Sequence, residues 1–143
     1  MTSTLRKCRR GDIAAMHHIR MAVRENQLVS TVLMEPDYLQ ATELDGCGWV
    51  VESDGQIAAF AVATATNGNL WALFVQPGYE SRGFGRRLLE TATEWLWAQD
   101  IQCAWLTTRP ETRATKFYEQ AGWIKCGQLD SGEIRYELKR PSG

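Results

Sequence analysis

The sequence has no C-x-x-C pair, only two histidines, and four cysteines spread through the chain at Cys8, Cys47, Cys103 and Cys126. With no ligands gathered at short spacing, a zinc site has no framework, and no other metal centre is expected. The thiols read instead as scattered buried side chains in a reducing compartment. Nowhere does an apolar run of about 18 residues occur, which removes a spanning helix. The opening stretch MTSTLRKCRRGD is charged and lacks the apolar core of a secretory signal. Neither sign of charge dominates, since 16 basic residues stand against 17 acidic ones for a net charge of −1. Such a balance gives no field strong enough to make nucleic acid the main partner. The absences leave a soluble, cytoplasmic protein with a small partner and neither membrane nor nucleic acid to bind. Its 143 residues suit one compact domain, residues 1–143, with a core large enough to stand without metals or disulfides.

What is present alternates along the chain. TLRKCR forms a short first strand, and Asp12 is expected as the N-cap of a helix whose apolar positions are Ile13, Met16, Ile19 and Val23. Pro36 suits the first turn of a second helix ending near Gly46. GWVVES and QIAAFAVATAT pair around the turn Ser53-Asp54-Gly55, and Asn67-Gly68-Asn69 returns the chain into LWALFV. A helix over roughly 84–99, the strand CAWLTT, a helix over roughly 111–121 and two closing strands, WIKCGQL and EIRYELK, complete the order βααβββαβαββ. Trp49, Trp71 and Trp105 fall on strands and are expected as core aromatics.

Two segments carry chemistry. In LWALFVQPGYESRGFGRRLLE, Gly78 and Gly83 have the separation of a P-loop, but Phe84-Gly85 stands where lysine and a hydroxyl belong. A dinucleotide fingerprint fails as well, because Leu88 occupies the place of its third glycine. What remains is a strand, a turn and Arg82-Gly83-Phe84-Gly85 leading into a helix. Amides left unpaired at a helix N-terminus face one way and add to the helix dipole, which makes an anion site. Gly83 and Gly85 allow close approach, and Arg82, Arg86 and Arg87 supply charge. The bland alternative is a turn with a solvated helix start. The stripe Leu88, Leu89, Ala92, Trp95 and Leu96 favours the anion site, because it lays the helix on the sheet with its N-terminus at the strand's end.

The second segment is RPETRATKFYEQAGW, in which Ala114, Phe117, Tyr118 and Ala121 share a helical face. Phe117 is expected in the core. Tyr118 is either a second core aromatic or a proton donor, because a buried phenol requires a partner for its hydroxyl.

LFVQPGYESRGFGRRLLE followed by TRATKFYEQAGW resembles the GNAT superfamily of acetyl-CoA-dependent N-acetyltransferases, and the element order resembles theirs over nearly the whole chain. The resemblance implies an α/β (α+β) fold, a central mixed, mostly antiparallel sheet of about seven strands flanked by four helices. It implies an acyltransferase that moves an acetyl group from acetyl-CoA to a primary amine of a small molecule or peptide by direct attack in a ternary complex. Donor contacts carried over from the family's frame are Glu80, Ser81, Arg82, Gly83, Phe84, Gly85 and Arg86 at the pyrophosphate. Leu73, Phe74 and Val75 pair with the pantetheine arm in this reading, and Thr112 or a backbone group takes the place of an absent asparagine. Glu80 departs from the usual glutamine or arginine, and Glu111 from the asparagine. Tyr118 becomes the acid that protonates the departing thiolate. The fourth strand lacks the carboxylate of many relatives, so a water chain, Glu25 or His17 is left as the base. Arg24, Glu25 and Asn26 would line the acceptor cleft and suit an amino-acid-like or peptide-like amine. A homodimer is left open. Two alternatives stay beside this one, a non-catalytic acyl-CoA sensor of the same fold and a small phosphate-binding module.

Overall fold

The computed structural model describes residues 3–23, 35–110 and 113–142. Its elements run β1 (Ser3–Lys7), α1 (Ile13–Val23), α2 (Glu35–Leu39), β2 (Gly46–Ser53), β3 (Gln56–Thr64), β4 (Asn69–Val75), α3 (Phe84–Ala98), β5 (Cys103–Thr108), α4 (Arg113–Gln120), β6 (Ile124–Gln128) and β7 (Ile134–Lys139). This is the order the sequence predicts. Among the described residues seven strands form one sheet, β1-β2-β3-β4-β5-β7-β6, in which β4 and β5 are the only parallel neighbours.

Alternation along β3 divides the core in two, because successive side chains of a strand point to opposite faces. Ala59, Ala61 and Ala63 face one cluster, where Leu88, Ala92 and Leu96 of α3 are buried. Small side chains at these positions let the helix lie close to the sheet. Phe60 and Val62 face the other cluster, with Ile13, Met16 and Ile19 of α1 and Tyr38 of α2. Trp95, on the edge of the α3 stripe, packs edge-on against Trp49 with centroids 5.9 Å apart.

Several local expectations need correction. Asp12 does not cap α1. A short 3-10 turn, Arg10–Asp12, precedes the helix, and the Asp12 carboxylate accepts from the Arg9 amide at 2.8 Å and from the Arg6 guanidinium at 2.8 and 3.0 Å. Arg6 also binds Glu52. Asp12 therefore joins β1 and β2 to the start of α1. The second helix is α-helical only over Glu35–Leu39 and continues as a wider π turn over Gln40–Leu44. Cys126 is exposed on the edge strand β6, and Cys8, Cys47 and Cys103 are only half-buried. Phe117 is half-buried too, at the rim of the core. Trp49 is buried as expected, while Trp71 and Trp105 are only partly covered. No described helix is long and apolar enough to cross a membrane. Among the described residues no three His, Cys, Asp or Glu side chains gather for a metal.

Candidate active site

β4 and β5 are bridged only once, at Asn69 opposite Trp105. The Asn69 side chain reinforces that end by donating to the Trp105 carbonyl at 3.1 Å. Beyond it the strands diverge, and the edge of β4 that faces β5 from Leu70 to Val75 forms no ladder. The opening is a groove of about 2240 Å³ that joins the two faces of the sheet. Leu73, Val75, Phe117 and Tyr118 line it from the α3 side, Trp71 and Phe74 from the α1 side. A β-bulge helps to aim these side chains. Val62 pairs with Ala72 and Ala63 with Leu70, so Trp71 is the extra residue, and both Trp71 and Ala72 pack on the α1 side.

At one end of the groove the chain leaves β4 and turns into α3. The turn is fixed by the Gln76 amide donating to Ala58 at 2.8 Å and the Tyr79 amide to Gln76 at 2.9 Å. Ser81 and Gly83 both have positive φ, 65° and 81°. Left-handed residues in such a loop turn successive amides toward one concavity, which suits an anion. A serine held there is strained, and strain of this kind gathers at functional sites. Gly83 is the N-cap of α3, and the first bond of the helix runs from the Arg87 amide to its carbonyl at 3.1 Å. The amides of Phe84, Gly85 and Arg86 therefore have no helical acceptor. A β-carbon at Gly83 would meet no atom within 4 Å, so space is open on that side.

The charges around this loop divide. Arg86 lines the groove. Arg82 does not, because its guanidinium lies 4.7 Å over the Tyr79 ring and 3.8 Å from Asp54. Arg87 turns to the Ser3 hydroxyl at 2.9 Å. Glu80 spends its carboxylate inside the loop, accepting the Gly78 amide at 2.7 Å. Its own amide, and then that bond, hold the carboxyl below its ordinary pKa, so Glu80 keeps a charge that shapes the turn. Arg113, at the start of α4, also lines the groove, with a guanidinium nitrogen 3.5 Å from the Ser81 hydroxyl. Nothing in the local sequence separates Arg113 from other surface arginines, since only the fold brings α4 beside the loop.

Tyr118 is 6% exposed, and its ring packs between Phe117, Trp123 and Tyr136 with centroids 5.2, 5.8 and 6.3 Å away. Its hydroxyl makes no hydrogen bond among the described residues, yet the residue lines the groove. Burial pushes its pKa well above the ordinary phenol value, so the proton stays on at neutral pH. A core tyrosine would have a partner, and this one lines the groove with its donor unclaimed by any described residue.

The α1 side holds a second cluster. His17 Nδ1 lies 3.0 Å from the Tyr38 hydroxyl, and the Tyr38 ring stands edge-on to Trp71 at 5.3 Å. Arg20, one turn beyond His17, lies with its guanidinium carbon 5.3 Å over Trp71 and 5.2 Å over Phe74. Arg20 and Tyr38 escaped the sequence reading because their pairing depends on how α1, α2 and β4 meet. Thr112, Arg24, Glu25 and Asn26 lie outside the described residues. A smaller cleft of about 290 Å³ near Lys7, Cys8 and Gly48 holds thiols whose pKa burial raises, which makes them poor nucleophiles.

Residues 13–123 match the acetyltransferase (GNAT) family. The chain belongs to that family. The family is one of acetyltransferases. Its fold is shared by the ribosomal-protein-S18-alanine N-acetyltransferase of Escherichia coli, with 21% identity, TM-score 0.76, and coverage of 99% of this chain and 97% of that one. PaiA N-acetyltransferase of Thermoplasma acidophilum, solved in complex with coenzyme A, gives 16% identity and TM-score 0.79 over 98% and 100% of the two chains. The yncA protein of Salmonella typhimurium, a putative acetyltransferase solved with acetyl-CoA, gives 16% identity and TM-score 0.80 over 100% and 96%. In sequence the chain is 35% identical over 81 residues to a mycothiol acetyltransferase of Beutenbergia cavernae. That match covers 52% of this GNAT chain and spans only 27% of the relative's length.

Proposed function

We propose that the protein is a single-domain N-acetyltransferase that acetylates a primary amine of a small molecule or peptide in one ternary complex, with Tyr118 as the general acid. The observation that carries this reading is the groove opened through the sheet by the splay of β4 from β5. A groove reached from both faces lets donor and acceptor enter from opposite sides, and direct attack needs no nucleophilic side chain.

The residues present fit acetyl-CoA. An unpaired strand edge at Leu73, Phe74 and Val75 suits an extended arm carrying amide groups, as in strand addition. Unbonded amides at Phe84, Gly85 and Arg86, with Arg86 and Arg113 beside them, suit a pyrophosphate. When bound, acetyl-CoA supplies the thioester carbonyl that the amine attacks and the thiol that leaves. An amide on the free edge of β4 would donate to the carbonyl oxygen and stabilise charge developing on it. Tyr118 holds its proton at the groove for transfer to the sulfur, and the missing hydroxyl partner leaves that donor available. No carboxylate stands on β4, so the proton of the amine is passed to water in the groove or to a residue of the α1 side.

Two measurements test the reading. Calorimetry should give binding of acetyl-CoA and CoA that is tighter than binding of ADP, because the strand edge holds the arm as well as the phosphates. Equal affinities would reduce the chain to a phosphate-binding module. A screen of primary amines with thiol release as the readout should then find an acceptor, and acetyl-CoA binding without release would leave a sensor.

A further inference from the structure

Residues 77–83 carry the chain from β4 into α3, and of these only Tyr79 is half-buried, every other position being exposed. Within the segment Gly78, Ser81 and Gly83 have φ of 99°, 65° and 81°. An exposed loop bent three times into the left-handed region loses conformational freedom at each bend, so its shape has to be held by contacts outside itself. The shape matters, because the loop leads into the amides of Phe84, Gly85 and Arg86 and forms the wall beside them.

Tyr79 makes those contacts. Its ring stacks on Phe84, the first residue of α3, with centroids 6.4 Å apart and planes inclined by 28°. Phe84 is buried in the α3-side core and Tyr79 packs against the same cluster, so the ring closes the two ends of the loop on each other. Its hydroxyl accepts from the Gln56 side-chain amide at the start of β3. The Arg82 guanidinium lies 4.7 Å over the same ring and reaches Asp54, in the β2–β3 turn, at 3.8 Å. Neither Gln56 nor Asp54 lines the groove. The β2–β3 hairpin thus braces the loop from outside the groove, and Tyr79 is where that brace meets the core.

We propose that Tyr79 is a positioning residue for the donor, which holds the 78–83 loop so that the amides of Phe84, Gly85 and Arg86 stay directed at a diphosphate, with Gln56 as its support from β3. The inference rests on the acetyl-CoA reading above and adds the residue that preorganises the phosphate end of that site. Preorganisation raises affinity by removing the cost of ordering a loop at the moment of binding. Without the ring that cost returns for any ligand that carries the diphosphate. Loss of the ring also releases Arg82, and a free guanidinium near the phosphates would raise affinity, so a fall cannot come from it.

The experiment measures binding of CoA and ADP by calorimetry, at a temperature where every protein is folded, to the full chain and to Tyr79→Ala, Tyr79→Phe, Gln56→Leu and the double variant of the last two. Tyr79→Ala should weaken both ligands by the same factor, about 10-fold or more, because the loop serves the part they share. Tyr79→Phe keeps the ring and loses only the tie to Gln56, which corresponds to about 2- to 10-fold. Gln56→Leu removes the same tie from the other end, so it should match Tyr79→Phe, and the double variant should lose no more than either alone. A merely structural tyrosine would lower the melting temperature and leave both affinities in place. The proposal is overturned if Tyr79→Ala binds CoA within about twofold of the parent, if CoA weakens and ADP does not, or if Tyr79→Phe weakens binding and Gln56→Leu leaves it unchanged, since the hydroxyl would then meet the phosphates itself. Failure of the full chain to bind CoA would instead remove the acetyltransferase reading on which it stands.

Discussion

Tyr118 and Tyr136 pack with ring centroids 6.3 Å apart, and they differ in what their hydroxyls reach. Tyr136 donates to Glu119 at 2.6 Å, while the Tyr118 hydroxyl has no partner among the described residues. Burial raises both pKa values, that of Tyr136 to about 12 with help from the Glu119 carboxylate. Two identical side chains in one cluster thus differ, one closing a hydrogen bond and the other having no described partner for its donor.

Tyr118→Phe and Tyr136→Phe therefore make a paired test. Removing the Tyr118 oxygen should slow the chemical step by about 10²- to 10⁴-fold, the usual range for a general acid, with acetyl-CoA affinity and melting temperature nearly unchanged. Removing the Tyr136 oxygen should lower stability by about 1 kcal/mol and leave the rate alone. Single-turnover kinetics at saturating acetyl-CoA and urea denaturation separate the two effects. A Tyr118→Phe rate within about twofold of the parent would assign protonation of the thiolate to another group.

Gly83 invites a second test. A β-carbon there clashes with nothing, but φ is +81°, so any L residue is strained whatever the space. Gly83→Ala should cost about 1–2 kcal/mol of stability from the backbone alone. Because the added methyl also stands where an anion would approach, CoA affinity should fall by more than the stability change explains. Gly85→Ala is the control for packing, since its β-carbon would sit in ordinary contact with Phe117 at 3.5 Å. Calorimetry at a temperature where every variant is folded decides, and unchanged affinity for Gly83→Ala would take the pyrophosphate away from this loop.

The sheet was legible in the sequence because its strands alternate and its turns carry Asp-Gly and Asn-Gly signals. Loop and tyrosine helix were legible because glycine spacing and helical periodicity are local properties. Which arginine faces the groove was not. Arg82, Arg86 and Arg87 stand on one short segment, and only the placement of Asp54, Tyr79 and Ser3, distant in sequence, turns two of them away. Asp12 misled for the same reason. Its spacing fits an N-cap, but Arg6, brought close by the strand, competes for the carboxylate and wins with two short bonds.

That Asp12 pairing makes stability depend on pH. Arg6 holds the folded-state pKa of Asp12 below its ordinary value of 3.8. The unfolded chain therefore binds the proton first as pH falls. The stabilisation is fully present above the unfolded value and is lost as pH drops through the depressed folded one. Asp12→Asn should lower the urea midpoint at pH 7 and narrow the gap between the pH 7 and pH 3 midpoints. A gap as wide as that of the parent would mean that other carboxylates carry the acid sensitivity.

The three loop arginines give the final test, because the structure assigns them different partners. Arg86 lines the groove beside the unbonded amides, while Arg82 is engaged by Tyr79 and Asp54 and Arg87 by Ser3. Exposed charges are screened over about 8–10 Å in ordinary buffer, so a cation that meets phosphate makes affinity fall as salt rises. Arg86→Gln should weaken CoA binding at low salt and flatten its salt dependence. Arg113→Gln, at the other wall of the loop, should act in the same direction. Arg82→Gln and Arg87→Gln should leave both the affinity and the salt slope close to the parent's. Arg82→Gln carries a further expectation, since loss of the Asp54 pair at 3.8 Å involves exposed groups and should hardly change stability. Titrations of CoA at 50 and 300 mM salt, on the parent and the four variants, read all of this at once. If the slope flattens with Arg82→Gln instead of Arg86→Gln, the guanidinium leaves Tyr79 when phosphate arrives.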